Sequence, residues 1–335
     1  MKKTVVALSV LACFTLSQSA IAEETVAQDN KHNAELAAKI ESLKSTYSDA
    51  ELLTLLDLPK KDEGKFHGTL GSNVEVERVI RDDNVSEGKV KYTLMQGNFR
   101  HDNLPGWDFG FYSAREELFT GNLKHADYNR GVNSIQEVYV NRSYSHDRGT
   151  VGWGVKLAGE SLDQRTTPEA KIFGSYQLTD NFDIHGYAMY HVEYKRGTGE
   201  FPYWEIEPGF GYKISDNSGA WLNFRYQSGE WNPKTGAAET EVEWIIKPGI
   251  WYSFGKLSAS LWGEFGSFEK ERNFDSAHLW TENYSKLGIS ASYPLSNSWN
   301  VFGEVSYKKI DFENEQRVSF DGNIPVVILG VNYSF

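Results

Sequence analysis

Cysteine is nearly absent from this 335-residue chain: Cys13 is the single one, and it lies within the first 22 residues. A lone thiol forms no intramolecular disulfide and no thiolate metal cluster, so backbone pairing and packing must hold the fold. Long apolar runs are missing as well. After Glu23 no stretch approaches the ~20 apolar residues of a membrane-spanning helix. A basic excess is also lacking. The formal net charge is −12, the wrong sign for neutralising phosphates, so no nucleic-acid partner is expected.

What is present begins with a processing signal. Lys2 and Lys3 precede an apolar run from Val5 to Leu16, and Ala20-Ile21-Ala22 supplies a small-x-small cleavage pattern. Residues 1–22 therefore read as a secretory signal peptide, with a mature chain starting at Glu23. A lipoprotein signal ending at Cys13 fits less well, because the apolar run continues past that residue. Cys13 would leave with the signal.

The composition of the remainder is unusual. Aromatics make up 14% of the chain, with 10 Trp, 18 Tyr and 19 Phe beside 30 Gly. Mean hydropathy is nevertheless polar, −0.51. A polar, aromatic-rich, Gly-rich exported chain fits a transmembrane barrel, whose strands face lipid on one side and water on the other.

Residues 23–63 stand apart, rich in Ala, Glu, Lys and Leu and without Trp or Phe. Leu36, Ile40, Leu43 and Tyr47 share one helical face. Ser48-Asp49-Ala50-Glu51 reads as a capping box for a second short helix that Pro59 ends. A charged linker follows at 60–64. This periplasmic extension reads as a spacer or weak plug in preference to a coiled coil, since its apolar face spans under two heptads.

From Lys65 the period becomes two. Val327, Leu329, Val331, Tyr333 and Phe335 alternate with Ile328, Gly330, Asn332 and Ser334. Trp204, Ile206, Pro208, Phe210 and Tyr212 alternate with Glu205, Glu207, Gly209 and Gly211. The apolar series suits lipid and the polar series water, with Trp and Tyr at strand ends as in interfacial girdles. Pro208 and Pro248 fall on the lipid side and predict a bulge or a locally unpaired position each. The segments fall at roughly 65–80, 89–101, 107–117, 132–145, 149–162, 168–178, 182–195, 203–214, 219–229, 239–253, 256–269, 280–293, 299–312 and 324–335. About fourteen strands is an even number, as single-chain bacterial barrels have. The expected fold class is all-β: a transmembrane antiparallel β-barrel over 64–335 with a short N-terminal helical extension. Short connections at 102–106, 146–149, 179–181, 215–218, 254–255 and 294–298 alternate with longer ones such as 119–131, 197–202, 229–238 and 270–279.

The ending Leu329-Gly330-Val331-Asn332-Tyr333-Ser334-Phe335 resembles the terminal strand of outer-membrane porins, which the barrel-assembly machinery recognises in that class. Strand number, length and the Val-Asn-Tyr-Ser-Phe ending together resemble the outer membrane protein G family of monomeric porins, with the cyclodextrin porin of enteric bacteria as a second relative. The resemblance covers roughly 65–335. It implies a monomer in outer-membrane lipid and lipopolysaccharide, assembled through Phe335, that passes ions and mono- to oligosaccharides passively. Two features depart from that family. The extension at 23–64 has no counterpart there, and the connection at 270–279 is short and carries His278 alone, so the family's loop-and-histidine-pair pH gate is not carried over.

A pore needs a water-filled interior whose charges and aromatics set its field and width, with no bond-making residue. Alternation nominates Lys156, Lys171, His185, His191, Glu193, Glu205, Glu207, Lys213, Trp221, Arg225, Glu241, Glu243, Lys247, Trp262, Glu264, Glu304 and Lys308 as pore-lining. The signs are mixed, which predicts weak ion selectivity. An oligouronate channel would want more arginine than Arg225 alone. Glu205/Glu207 and Glu241/Glu243 are each two apart on one face. They either attract cations at a constriction or pair with Lys and Arg across neighbouring strands. Trp221 and Trp262 either stack sugars or fill the wall.

No cofactor, metal or catalytic site is expected. Ser145-His146-Asp147 has hydrolase residue types, but consecutive residues at a turn rarely converge on one point. His185 and His191 lie six apart, too far to share a metal without a third ligand. In order, the readings are a general small-solute porin, a sugar-selective porin with an N-terminal plug, and a barrel enzyme or adhesin.

Overall fold

Strand-forming alternation from Phe66 onward closes on itself. The computed structural model describes residues 64–81, 86–120, 131–162, 164–273, 277–315 and 319–335. The signal peptide and the helices expected at 23–63 lie outside these residues. The strands are β1 (Phe66–Arg81), β2 (Ser86–His101), β3 (Trp107–Thr120), β4 (Val132–His146), β5 (Gly149–Glu160), β6 (Arg165–Thr179), β7 (Phe182–Lys195), β8 (Gly199–Ser215), β9 (Ser218–Pro233), β10 (Glu239–Phe254), β11 (Leu257–Arg272), β12 (Ala277–Pro294), β13 (Trp299–Asn314) and β14 (Ser319–Ser334). Each pairs antiparallel with its sequence neighbours, and β1 pairs with β14, giving a closed fourteen-stranded barrel. Closure leaves no unpaired edge, the condition for crossing a bilayer with strands. The seam is finished by the last residue: Gly68 and Phe335 exchange both backbone hydrogen bonds at 3.1 Å.

Outward positions are apolar all the way round. Ile172, Val305 and Leu329 are each more than 60% exposed, and every strand but β3, whose outward aromatics are half-buried, carries exposed large apolar residues. A surface so continuous in large apolar side chains belongs in lipid, not water. Aromatics cluster near the rims, with ring centres 4.9 Å apart for Trp299 and Tyr333, 5.2 Å for Trp204 and Tyr226, and 4.4 Å for Tyr252 and Phe254. These are the girdle positions.

The strands run 12 to 18 residues, longer than the ~9–11 that a tilted strand needs to cross a bilayer. Several connections expected to be long are therefore mostly strand. Those expected at 197–202, 229–238 and 270–279 shrink to 196–198, 234–238 and 273–276. Beyond the bilayer no lipid demands an apolar outward face, so the alternation fades while backbone pairing continues.

In-strand prolines each open a gap in one ladder without shifting register. Pro248 is skipped between the pairs Ile246–Phe265 and Gly249–Trp262, and Pro208 between Ile206–Tyr226 and Gly209–Asn223. Pro168, Pro202 and Pro325 do the same. A missing N–H costs a ladder bond, and an outward position tolerates this without a bulge. True register shifts occur elsewhere, at 71/73 and 93/95 among other places. The second places Leu94 and Met95 both outward, 60% and 49% exposed, and turns Gln96 and Asn98 inward.

Candidate functional site

The interior has two unlike walls. From β6 to β13 it is crowded with paired charges. Glu207 accepts from Lys247 at 2.6 Å, from Asn223 at 2.9 Å and from Tyr187 at 3.2 Å. Glu205 accepts from Tyr203 at 2.9 Å and also from Tyr187. Tyr203 shares its hydroxyl between Glu205 and Gln227. Glu243 meets Arg225 at 2.8 Å and accepts from Tyr284 at 2.7 Å. Glu241 pairs with Lys270 at 2.9 Å, and Lys308 reaches Glu282 at 2.6 Å while lying 3.9 Å from the Tyr284 ring centre. Of the two readings for the glutamate pairs, cross-strand pairing is what the geometry shows. Each carboxylate is met by a cation or by hydroxyl donors on a neighbouring strand.

The remaining nominated residues fall as follows. Lys156 pairs with Glu169 at 2.8 Å, and Glu193 with Arg165 at 2.7 Å. His185 bonds Asp183 at 2.9 Å and Asn223 at 3.1 Å, and His191 stacks on Tyr203 at 4.3 Å. Lys171 stands 5.7 Å from the Phe173 ring. Lys213 lies at the short-turn rim, paired with Asp216 of the β8–β9 turn at 2.6 Å. That lysine holds the exposed Asp216 carboxyl below its usual range. Glu264 is opposite Lys286 in register, and Glu304 opposite Ser290.

Trp221 and Trp262 occupy one cross-strand row that reads Gly211–Trp221–Gly249–Trp262–Gly288. A Cβ at Gly249 would sit 2.0 Å from the Trp221 ring, and one at Gly288 2.3 Å from Trp262. Each indole lies across the backbone of its neighbour, filling the wall there. Lys286 holds its ammonium 4.9 Å from the Trp262 ring centre. Higher on the same side, Ile245, Tyr284 and Ile310 form a buried cluster, so this half of the interior is packed with side chains.

The other wall, from β14 through β1 to β5, borders a cavity among the described residues. Its volume is about 650 Å³, with Gln96, Asn98, Tyr112, Tyr139 and Asn332 in its lining. Sequence reasoning missed these residues. The bulge in β2 reverses the parity there, and amide side chains do not stand out among charges. It also missed Arg165, which joins Arg225 as an inward arginine because β6 begins at 165 and not at 168. The network tyrosines 187, 203 and 284 were not nominated either, although each shares parity with an inward glutamate or histidine of its strand.

Ser145, His146 and Asp147 end β4 and enter its turn. The Ser145 hydroxyl meets Thr150 at 3.4 Å, while His146 accepts the Arg148 N–H at 3.4 Å. Serine and histidine thus engage different partners, and no nucleophile–base pair is formed between them.

This barrel, with its apolar outside and paired polar inside, matches a known family model over residues 48–335. The chain belongs to the OMPG-porin 1 family. It is an outer-membrane channel protein of the porin type. Among curated proteins none matches it. Solved structures similar to this porin include OmpT of Vibrio cholerae, at 13% identity and TM-score 0.42 over 83% of this chain and 99% of that one. The anion-selective porin from Comamonas acidovorans is 10% identical, with TM-score 0.41 over 82% and 100% of the two chains. The Pseudomonas putida toluene transporter TodX is 9% identical, with TM-score 0.44 over 81% and 89%. None of the three bears on which solute this porin passes.

Proposed function

We propose that this porin is a passive channel for small hydrophilic solutes, namely mono- to oligosaccharides and ions, with weak ion selectivity. One observation carries the reading. Inward carboxylates are met by cations across strands, one to one in Glu207–Lys247, Glu243–Arg225 and Glu282–Lys308, and two to one at Arg165 and Lys270. Paired charges leave little net field for selecting one ion sign, while the hydroxyls and amides between them can be exchanged for those of a hydrated solute. Fourteen strands exceed the ~8 at which side chains fill a barrel and fall just under the ~16–18 of wide aqueous porins. That size suits a narrow pore. The reading requires no bond chemistry, cofactor or metal. The porin works as a monomer in outer-membrane lipid and lipopolysaccharide, and residues 23–63 serve as a periplasmic spacer.

Planar-bilayer recording of the refolded mature chain tests this. Stepwise ohmic conductance with a reversal potential near zero in a KCl gradient is expected. A strongly cation- or anion-selective reversal potential would overturn the weak-selectivity reading. Absence of channel steps from correctly refolded barrels, together with hydrolytic activity, would bring the enzyme reading forward.

A further inference from the structure

We infer that the wall formed by β14 and β1–β4 holds a binding subsite for a neutral polyhydroxylated ring, with Tyr139 as the platform and the amides of Gln96, Asn98 and Asn332 around it. The inference rests on the channel reading and adds to it a place and a ligand chemistry.

Three observations converge. The first is shape. The cavity of about 650 Å³ against this wall lies within the ~300–1,000 Å³ of small-molecule sites. The opposite half of the interior is filled by the tyrosine–carboxylate network and the Ile245 cluster. A solute moving along the axis is therefore displaced toward β1–β4.

The second is unspent bonding capacity. On the crowded wall Glu205, Glu207 and Glu243 each have two or more partners. On this wall, among the described residues, the side-chain amides of Gln96 and Asn332 and the Tyr139 hydroxyl have no hydrogen-bond partner. Asn98 accepts from Thr69 at 2.7 Å and donates to Asp108 at 2.8 Å, which fixes its amide plane and leaves one N–H free. These groups are amides and a phenol, which offer donors and acceptors without net charge. That inventory matches hydroxyl groups, each of which both donates and accepts. It does not match a carboxylate, which would need an unengaged cation nearby. Two carboxylates also line the cavity, Glu160, which Arg165 holds, and Glu137, 4.0 Å from Lys156, while Lys156 itself pairs with Glu169 at 2.8 Å and Lys91 with Glu75 at 2.8 Å, so these cations are already engaged.

The third is the posture of Tyr139. Its register partner on β3 is Gly110, and beyond that comes Asn98 on β2 and Thr69 on β1. A Cβ at Gly110 would lie 2.0 Å from the Tyr139 Cζ and 2.3 Å from its hydroxyl. The ring therefore rests its tip across the bare backbone of Gly110, which brings the phenol into the same row as Asn98. One ring face is set against the wall and the other toward the cavity. The π face is electron-rich and attracts the polarised C–H groups on the apolar side of a sugar ring. The amides meet its equatorial hydroxyls. The Gly110 position makes this posture possible, since any side chain there would lift the phenol.

The test is single-channel recording with maltotriose as the neutral probe and trigalacturonate as the charged one. Wild-type protein is expected to show concentration-dependent blockades by maltotriose and weaker ones by trigalacturonate. Tyr139→Ala is expected to shorten maltotriose residence about 5- to 10-fold, the worth of one aromatic contact. Gly110→Ala keeps the phenol and displaces it, and should shorten residence in the same direction. Gln96→Ala and Asn332→Ala remove only wall amides and guard against a folding defect, with the heat-modifiable gel shift reporting the closed barrel in every case. Unchanged residence in all four folded variants, or ion-conducting channels that maltotriose never blocks, would overturn the subsite and leave the channel standing. Absence of any ionic conductance would overturn the channel reading and the subsite with it.

Discussion

Replacing Lys247 by Met probes how the porin stabilises charge inside a membrane barrel. The ammonium lies 2.6 Å from the Glu207 carboxylate, and the two side chains are 19% and 9% exposed. At an effective dielectric constant of ~20, a pair at this distance attracts by about 6 kcal/mol. Desolvating both ions opposes most of that. A net coupling of about 2 kcal/mol follows, at the lower end for buried pairs because Asn223 and Tyr187 also donate to Glu207. K247M should then cost about 2–3 kcal/mol, since it leaves a nearly buried carboxylate short of its cation. E207Q/K247M should recover most of the loss, because two neutral groups of similar size refill the site. Urea unfolding of the protein in lipid vesicles supplies the four corners of the double-mutant cycle. The same variant unbalances the interior by one negative charge, so the reversal potential of K247M should move toward cation selectivity and return in the double variant. A coupling below about 0.5 kcal/mol, with no shift in reversal potential, would refute the view that paired charges set both stability and weak selectivity.

Other outcomes follow from the same geometry. At the β2–β3 turn, Asp102 accepts the Lys65 N–H at 2.8 Å and meets His67 at 2.9 Å, which holds its carboxyl below the usual range. A lowered folded-state value means stability present above the unfolded value of ~3.9 and lost as pH falls through the folded one. The difference in urea midpoint between wild type and D102N should therefore shrink between pH 7 and pH 3. Gly249→Ala would press a Cβ onto the Trp221 ring and should cost about 1–3 kcal/mol, and Trp221→Ala in that background should relieve it. Both are read by unfolding midpoint and tryptophan emission. Phe335→Ala should lower the assembled fraction in cells more than it lowers the unfolding midpoint of refolded protein, if the terminal aromatic engages the assembly machinery; equal losses would reduce its role to the Gly68–Phe335 seam. Deleting residues 23–63 should leave conductance unchanged, and a larger or noisier current would make that segment a plug.

The sequence by itself determined the class of fold. Period-two alternation with apolar residues on one parity is a local property, since lipid must be met by every outward side chain of every strand. It located segments such as 182–195 to the residue, and it set the face of Glu205 and Glu207 because parity within a strand needs no knowledge of neighbours. What each inward residue does was decided only by tertiary structure. Whether Glu207 stands free or meets Lys247, forty positions away, depends on register across β8, β9 and β10. Register also laid Trp221 over Gly249 and Tyr139 over Gly110, a fit invisible along one strand. The bulge at Leu94 shows the limit most clearly: one extra residue turned Gln96 and Asn98 inward, and no alternation count could show that. Parity along a chain is a one-dimensional signal, whereas partnership across a barrel is fixed by closing the sheet, when strands far apart in sequence settle into one alignment.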